Sequence, residues 1–345
     1  MAVKKNKRPT LKTIAYMTGL GVTTVSKALK DASDIKASTK ERVKLIAEQI
    51  GYQPDRTGLR LRTGKTNVIS LALRTDEEVN SMTSQFIAGI LQALQHTQYT
   101  LVLSPYVRDS DPMESVRHIV ESRGADGIIL SQIESSDKRL AYLDEAGMPF
   151  ATHGRSYMGI NHAFFDFDCE RFASDATRLL VDKGCRRLGL LAAPVTFSYG
   201  QCMRNGFDIA LQETGIEESR VSARLGDSIE VVADSVSRLM KQKHNSPDGF
   251  VCGDVEATVG VIAGVESAGL VVGEDVRIVA KQPSTSLLKW LGRPVYCIED
   301  DLKAAGLGVA TSLINVIDGA PVEDNQTIVY AETWGNLVTG TPIQT

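Results

Sequence analysis

Apolar residues recur at helical spacing near the start of the chain, where a short stripe is followed by a glycine. Leu11, Ile14 and Ala15 follow one another at i, i+3 and i+4, so they share one face of a predicted first helix. Thr10 precedes this stripe as an expected helix cap, and Gly19 follows it as an expected stop. The pattern predicts a short helix that ends in a glycine turn.

A second helix is predicted from about Val22 to Lys30. The face that we expect to pack on the first helix consists of Val25, Ala28 and Leu29. The opposite face carries short, hydrogen-bonding side chains, namely Thr23, Thr24, Ser26 and Lys27. Two helices joined in this way form the helix-turn-helix unit whose second helix enters the DNA major groove. A pair of amphipathic helices from any small bundle is the alternative.

A third helix completes this N-terminal group. Ser38 and Glu41 have the spacing of a capping box at its start. Its apolar positions at helical spacing are Val43, Ile46, Ala47 and Ile50. Gly51 ends the helix and Pro54 prevents its continuation. Three helices in about forty residues bury little surface, so we expect this unit to be marginally stable alone.

From Asn67 onward, short apolar runs alternate with amphipathic helical stretches. The predicted strands are 68–73, 99–106, 126–130, 148–154, 188–193, 248–253, 276–280 and 295–299. The predicted helices are 84–97, 112–123, 136–146, 170–183, 200–214, 229–242 and 255–268. Such alternation predicts parallel sheets covered by helices on both faces. Two similar series indicate two doubly wound subdomains, with a ligand cleft where the carboxyl ends of their strands face each other.

Charge is unevenly distributed along the 345 residues, although the net charge is only −4. Residues 1–65 carry 15 Lys and Arg against 5 Asp and Glu, a net charge of +10. The remaining residues carry 23 against 37, a net charge of −14. A basic module on an acidic body is the asymmetry expected of a nucleic-acid-binding protein.

The residues that usually bind metals or catalyse reactions form no recognisable pattern. The five cysteines contain no C-x-x-C pair and the five histidines lack metal-ligand spacing, so we expect reduced thiols and no metal or cofactor. The chain contains no G-x-G-x-x-G after a strand and no G-x-S-x-G, so we expect no enzymatic activity and no catalytic residues. An apolar signal segment and a membrane span are also missing from the pattern, which predicts a cytoplasmic protein without a membrane partner.

Three segments, TLKTIAYMTGLGVTTVSKAL, STKERVKLIAEQIGYQPD and LRLRTGKT, occur in this order within residues 10–66. They resemble the headpiece and hinge of the LacI/GalR family of bacterial transcription regulators. The resemblance implies a helix-turn-helix headpiece at 1–54, a hinge helix or linker at 55–66, and an effector-binding and dimerisation core at 67–345. It implies a periplasmic-binding-protein-like core, with an N-subdomain at about 67–165 and 300–327 and a C-subdomain at about 166–299 and 328–345. Three crossovers between the subdomains are expected near 164–168, 299–301 and 326–330.

The resemblance also implies a homodimer on a two-fold-related operator. The predicted DNA-binding residues are Thr10, Val22, Thr23, Thr24, Ser26, Lys27, Arg56, Arg60 and Leu61. Two positions depart from the family pattern, since Gly21 replaces a capping serine and Gly58 replaces a hinge alanine. Residues 55–62 are too few for a stable isolated helix, because helices below about 12–15 residues are marginal in water. We expect the hinge to fold only in the minor groove, with Leu61 as a wedge, and a ligand to act by favouring or forbidding that folding.

The predicted effector lies between the two subdomains. The predicted effector-binding residues are Met82, Arg155, Tyr199, Arg204, Asp254, Lys281 and Gln282. Lys281 and Gln282 replace two aspartates of the family pattern, which argues for an effector with hydroxyl groups and a possible negative group. The runs Thr-His-Gly-Arg and Ala-Lys-Gln resemble a branch associated with α-glucoside or other disaccharide utilisation. We therefore expect a repressor of carbohydrate-utilisation genes with a disaccharide, α-glucoside or sugar phosphate as effector; a periplasmic-type sugar-binding protein is the alternative.

Overall fold

A computed structural model describes residues 9–52, 64–74, 81–107, 111–242, 244–282, 287–330, 334–336 and 342–343. The chain divides into two compact units, residues 1–66 and residues 67–345. Most of the predicted hinge, including Arg56, Arg60 and Leu61, lies outside the described residues. None of the described helices combines the length and the apolar composition needed to cross a membrane.

The first unit contains three helices, α1 (Leu11–Thr18), α2 (Val22–Leu29) and α3 (Ala37–Gln49). Their shared core consists of Ile14, Ala15, Val25, Ala28, Val43 and Ala47. Thr10 caps α1 as predicted, because its hydroxyl accepts from the Thr13 amide and the Thr13 hydroxyl accepts from the Thr10 amide. Gly19 ends α1 in the left-handed conformation, with φ of 69°. The predicted helix pair and its turn are confirmed.

The start of α3 differs from the prediction. The helix begins at Ala37, so Ser38 already lies inside its first turn, and Lys36 occupies the cap position without a side-chain hydrogen bond. A capping side chain belongs to the residue just outside the helix, where the backbone is not helical. The expected capping box of Ser38 and Glu41 is therefore wrong. Gly21 caps α2 without a side-chain bond, as its departure from the family serine implied.

The second unit contains two sheets. The first has the order β11-β5-β4-β3-β1-β2, and all of its neighbouring strands are parallel. Its strands are β1 (Val68–Arg74), β2 (Thr100–Tyr106), β3 (Gly127–Leu130), β4 (Phe150–His153), β5 (Ala163–Phe167) and β11 (Gln326–Val329). Helices α4 (Ser81–Leu94) and α11 (Leu302–Ile317) cover one face, and α5 (Pro112–Glu121) and α6 (Lys138–Glu145) cover the other. This layered group is the N-subdomain.

The second sheet has the order β13-β12-β10-β9-β8-β6-β7. Its strands are β6 (Arg187–Leu191), β7 (Glu217–Glu218), β8 (Gly249–Cys252), β9 (Arg277–Gln282), β10 (Val295–Glu299), β12 (Trp334–Asn336) and β13 (Pro342–Ile343). Its helices are α7 (Cys169–Asp182) and α8 (Ser198–Thr214) on one face, and α9 (Ile229–Met240) and α10 (Val255–Ser267) on the other. The pairs formed by β12 are antiparallel, and the others are parallel. This group is the C-subdomain.

The subdomains are joined at three places along the chain. The chain passes from β5 to α7 at Asp168, from β10 to α11 at Asp300 and Asp301, and from β11 to β12 after Val329. Phe167 and Val329 therefore still belong to the first sheet. The two N-subdomain segments end two residues later than the expected ends at about 165 and 327. A crossover is expected near 164–168; the residues of this range up to Phe167 belong to β5, which pairs with both β4 and β11, and the chain crosses at Asp168.

Two helices of the N-subdomain cross at a very short distance. A Cβ atom added to Gly306 in α11 would lie 2.0 Å from the Phe86 carbonyl oxygen in α4. A Cβ atom added to Gly89 would lie 2.0 Å from the carbonyl oxygen of Lys303. Real side chains cannot approach a carbonyl oxygen this closely, so the crossing requires glycine on both helices.

Candidate functional site

A cleft between the two subdomains is formed by loops and helix starts at the carboxyl ends of their strands. It is lined by Ile133, His153, Gly154, Arg155, Asp166, Phe167, Cys169, Ser198, Tyr199 and Cys202. Ile133 follows β3 and Arg155 follows β4, whereas Ser198 and Tyr199 begin α8 after β6. The cleft therefore lies where a doubly wound sheet usually binds its ligand.

Arg155 lines the cleft as predicted, but acidic residues already pair with it. Its Nε lies 2.7 Å from Asp166 Oδ2, and its Nη2 lies 3.7 Å from Asp168 Oδ1. Burial raises the pKa of Asp166 to about 6, although the Arg155 charge acts in the opposite direction. The carboxylate is thus ionised at neutral pH, and the pair has little net positive charge to offer an anion.

Lys281 lies at the end of β9, next to the crossover into α11. Its ammonium group lies 2.5 Å from Asp300 Oδ2 and 5.1 Å from the centre of the Phe167 ring. Burial alone would lower the pKa of Lys281, but its interactions with Asp300, Cys169 and Tyr199 together raise it. Lys281 is therefore a charged residue that Asp300 neutralises. His153 adds no positive charge at neutral pH, because burial lowers its pKa.

Tyr199 lines the cleft from the C-subdomain side, and Asp254 precedes α10 in the same subdomain. Burial raises the pKa of Tyr199 to about 12, and the negative charge of Asp254 acts in the same direction. The Tyr199 phenol therefore stays protonated and can donate a hydrogen bond. Asp254 caps α10, with its Oδ1 accepting from the Ala257 amide at 2.7 Å.

Arg204 is not among the residues that line the cleft. Its Nη1 lies 2.9 Å from Glu218 on β7 and 3.2 Å from Asp208 one turn along α8. Met203, the residue before it on α8, is buried in the core, so the neighbouring Arg204 lies on a different face of the helix. The side chains of Met82 and Gln282 lie outside the described residues.

Three polar residues were missing from the sequence prediction: Asp166 and Ser198 line the cleft, and Asp300 pairs with Lys281. Asp166 was not found because the strand that carries it was not predicted, and Ser198 was not found because α8 begins two residues before its predicted start. Asp300 was placed in a crossover, but its pairing with Lys281 joins residues 19 positions apart. Both aspartates lie at the carboxyl end of a strand, Asp166 within β5 and Asp300 directly after β10. A carboxylate at such a position is the signal that could have indicated them.

The exposed face of α2 forms a second candidate surface, in the first unit. Val22, Thr23 and Lys27 are exposed, and Thr24 and Ser26 are partly exposed. The Lys27 ammonium lies 2.5 Å from Asp34 Oδ2, and both side chains remain about half exposed. Exposed pairs of this kind contribute about 0–1 kcal/mol, so DNA can replace Asp34 as the partner of Lys27 at small cost.

A helix-turn-helix unit with a polar, exposed second helix, followed by two α/β subdomains around a cleft, defines a ligand-responsive DNA-binding regulator. Residues 10–55 match the profile described as "Bacterial regulatory proteins, lacI family". Residues 66–327 match that of "Periplasmic binding proteins and sugar binding domain of LacI family". The chain belongs to the LacI family and is a DNA-binding transcriptional regulator. The match over residues 10–55 decides against the periplasmic alternative.

Individual relatives agree with this assignment. The HTH-type transcriptional regulator AglR of Rhizobium meliloti (strain 1021) is 28% identical over 313 residues, which cover 89% of this chain and 87% of AglR. RafR of Escherichia coli, also named an HTH-type transcriptional regulator, is 36% identical over 210 residues, or 60% of this chain and 62% of RafR.

Solved structures share the fold. The Lac repressor dimer bound to operator and the anti-inducer ONPF has a TM-score of 0.78 at 21% identity, over 94% of this chain and 96% of that one. A complex of the regulator CelR with cellobiose has a TM-score of 0.66 at 22% identity, over 93% of this chain and 97% of that one.

Proposed function

We propose that this chain is a homodimeric repressor of carbohydrate-utilisation genes, and that an uncharged sugar in the cleft controls its affinity for an operator. The observation that carries the effector chemistry is the pairing of Arg155 with Asp166 and of Lys281 with Asp300. Phosphate recognition needs positive charge that is available to the ligand. Both cations that the sequence assigned to the cleft are neutralised, so a disaccharide or α-glucoside fits better than a sugar phosphate.

The polar groups of the cleft suit hydroxyl ligands. The Ser198 hydroxyl is buried and has no hydrogen-bond partner among the described residues. Such a group is costly unless a partner satisfies it, and a sugar hydroxyl can accept and donate at this place. Tyr199 adds a protonated phenol, and Asp166 adds a carboxylate that accepts from sugar hydroxyls. The related regulator CelR forms a complex with cellobiose, which is also an uncharged disaccharide.

An apolar surface supports the proposed homodimer. Leu91 on α4 is 51% exposed, and Val102 and Leu103 on the edge strand β2 are 43% and 47% exposed. Unlike scattered apolar residues, these three come from neighbouring elements of one subdomain edge. A second copy of the chain would cover this edge and place two headpieces side by side on a two-fold-related operator.

Matched sugars test the effector. We would measure the thermal unfolding of the full chain with uncharged disaccharides, including cellobiose and trehalose, and with the 6-phosphate of each. An effector at about 100 times its dissociation constant adds about 2.7 kcal/mol to the free energy of unfolding. We expect an uncharged sugar, and not its phosphate, to stabilise the protein and to change its affinity for an operator selected from random DNA.

The variant Tyr199→Phe provides the matched control, because it removes one phenol oxygen and keeps the ring. It should weaken binding of the uncharged sugar while leaving operator binding without sugar unchanged. Stronger stabilisation by a phosphorylated member of any pair would contradict the assignment of an uncharged effector.

A further inference from the structure

A short clasp closes the cleft at one place. We define the clasp as residues 133–135, which follow β3 in the N-subdomain, and residues 195–198, which precede or begin α8 in the C-subdomain. The Ser135 amide donates to the Thr196 carbonyl at 2.8 Å, and the Ser198 amide donates to the Ile133 carbonyl at 2.9 Å. Glu134 and Phe197 thereby form an antiparallel bridge across the cleft. Backbone groups of the two subdomains thus pair directly with each other.

The clasp completes the start of α8. The first amides of a helix have no partner within the helix and need a cap. Phe197 occupies the cap position of α8 and provides no side-chain hydrogen bond. The Ile133 carbonyl of the other subdomain takes this role for the Ser198 amide. Opening the cleft removes that partner, so closure and the capping of α8 are coupled.

A buried ion pair holds the N-subdomain half of the clasp in shape. The Arg139 guanidinium donates to Asp137 Oδ2 at 2.6 Å and to the Gln132 carbonyl at 3.1 Å. Asp137 Oδ2 also accepts from the Glu134 amide at 3.1 Å. Gln132 has a φ of 52°, in the left-handed region that favours glycine. The ion pair therefore fixes a strained turn in the conformation that meets residues 195–198.

Ser135 makes side-chain hydrogen bonds across the clasp, and the Arg74 guanidinium lies 5.7 Å from the centre of the Phe197 ring. Its hydroxyl lies 2.9 Å from Gln201 Oε1 on α8 and 3.3 Å from the Val195 carbonyl oxygen. The neighbouring Ser136 is exposed. Elsewhere along the cleft, the Tyr157 hydroxyl lies 2.7 Å from Cys202 Sγ and forms a separate contact between the subdomains.

We propose that the clasp is a ligand-independent latch that sets the balance between the open and closed cleft, with Ser135 as its positioning residue. The geometry of the latch stands without an effector; only its regulatory consequence rests on the proposed function. A sugar that binds between the subdomains then adjusts a balance that the clasp already favours, because a ligand acts through its different affinities for the two states.

Distance measurements between the subdomains test the latch without sugar or DNA. The five native cysteines are buried, so Glu145→Cys on α6 and Asp234→Cys on α9, both at exposed positions, accept spin labels selectively. Mixing labelled chain with an excess of unlabelled chain removes distances between protomers. Double electron–electron resonance then measures the distance between the two spin labels, and the distance distribution gives the fractions of open and closed cleft in the full chain.

We expect mainly closed cleft in the wild type and a ratio of closed to open that falls about 2–10-fold in Ser135→Ala, the range that one ordinary hydrogen bond supplies. Ser135→Pro, which also removes the amide donor, should shift the ratio further. Ser136→Ala is the matched control and should leave it unchanged. An open wild type, an unchanged ratio in both Ser135 variants, or an equal shift in Ser136→Ala would overturn the proposal. Circular dichroism of each variant establishes that the fold is intact.

Discussion

Asp254 carries a half-buried carboxylate at the start of α10. Burial raises its pKa to about 6, whereas an unfolded aspartate titrates near 3.9. Between about pH 4 and pH 6 the folded state therefore binds more protons than the unfolded state, so stability falls as pH rises through this range. Asparagine keeps the oxygen that accepts from the Ala257 amide and removes the charge.

Asp254→Asn should therefore remove a pH dependence of the free energy of unfolding. We expect the variant to be about 1–3 kcal/mol more stable than the wild type at pH 7.5 and to differ little from it at pH 4. Denaturant unfolding at several pH values between 4 and 8 measures this difference. A constant difference across that range would assign the raised pKa to another group.

Lys27 lies on the exposed face of α2, four positions after Thr23. Replacing either residue with alanine should weaken the cognate operator by about 1–3 kcal/mol and leave affinity for random DNA nearly unchanged, because base contacts distinguish sequences. Lys44→Ala is the matched control, since Lys44 also forms an exposed ion pair, with Asp31 at 2.7 Å. Fluorescence titrations of both DNA types decide the role. Equal weakening on both would mean that Lys27 and Thr23 contact only phosphates.

The crossing of α4 and α11 depends on glycine at the element scale. Gly306→Ala would place a methyl group against the backbone of Phe86, so the helices must separate. We expect a loss of about 1–3 kcal/mol in the free energy of unfolding, as for other overpacked cores. The sign of this change in the free energy of unfolding is informative, because helix propensity alone would make alanine about 0.5–1 kcal/mol more favourable than glycine. Thermal and denaturant unfolding of the full chain would show a gain if the two helices were loosely packed.

Elements with a clear hydrophobic pattern could be predicted from the sequence. All eight strands that the sequence predicts occur, because each is a short apolar run bounded by polar or turn residues. The sequence pattern does not predict α11, because LKAAGLGVATSLINVI is apolar on most of its surface and lacks a clear polar face. It does not predict β5, because AFFDF contains no alternation. Such segments are defined by the elements that cover them.

Side-chain pairing in the cleft was less predictable than the fold. The sequence predicted that Arg155, Tyr199 and Lys281 lie near the ends of strands. All three lie on the side of their sheet where the parallel strands have their carboxyl ends. It did not reveal that Asp166 and Asp300 neutralise the two cations, because pairing depends on where the crossovers bring distant segments. The sequence analysis inferred a negative group on the effector because Lys281 and Gln282 replace two aspartates. That inference considered the charge of Lys281 without its partner Asp300.

The distribution of charge predicts how the whole molecule binds DNA. Residues 1–65 have a net charge of +10 and the rest of the chain has a net charge of −14. Operator affinity should fall by about 0.9 log unit per log unit of salt for each phosphate neutralised. Removal of residues 1–66 should abolish binding, whereas a salt-independent affinity or binding by residues 67–345 alone would place the DNA contacts elsewhere. Titrations at several salt concentrations provide the slope.

The last strands of both sheets are also the last to be synthesised. Each sheet receives its last strands from the C-terminal part of the chain, since β11 pairs with β5, and β12 pairs with β10 and with β13. A nascent polypeptide that ends before Gln326 leaves both of these edges open, and an open edge pairs readily with other chains. A premature stop codon in this region should therefore give an aggregating product, even though every residue of the headpiece has already been translated.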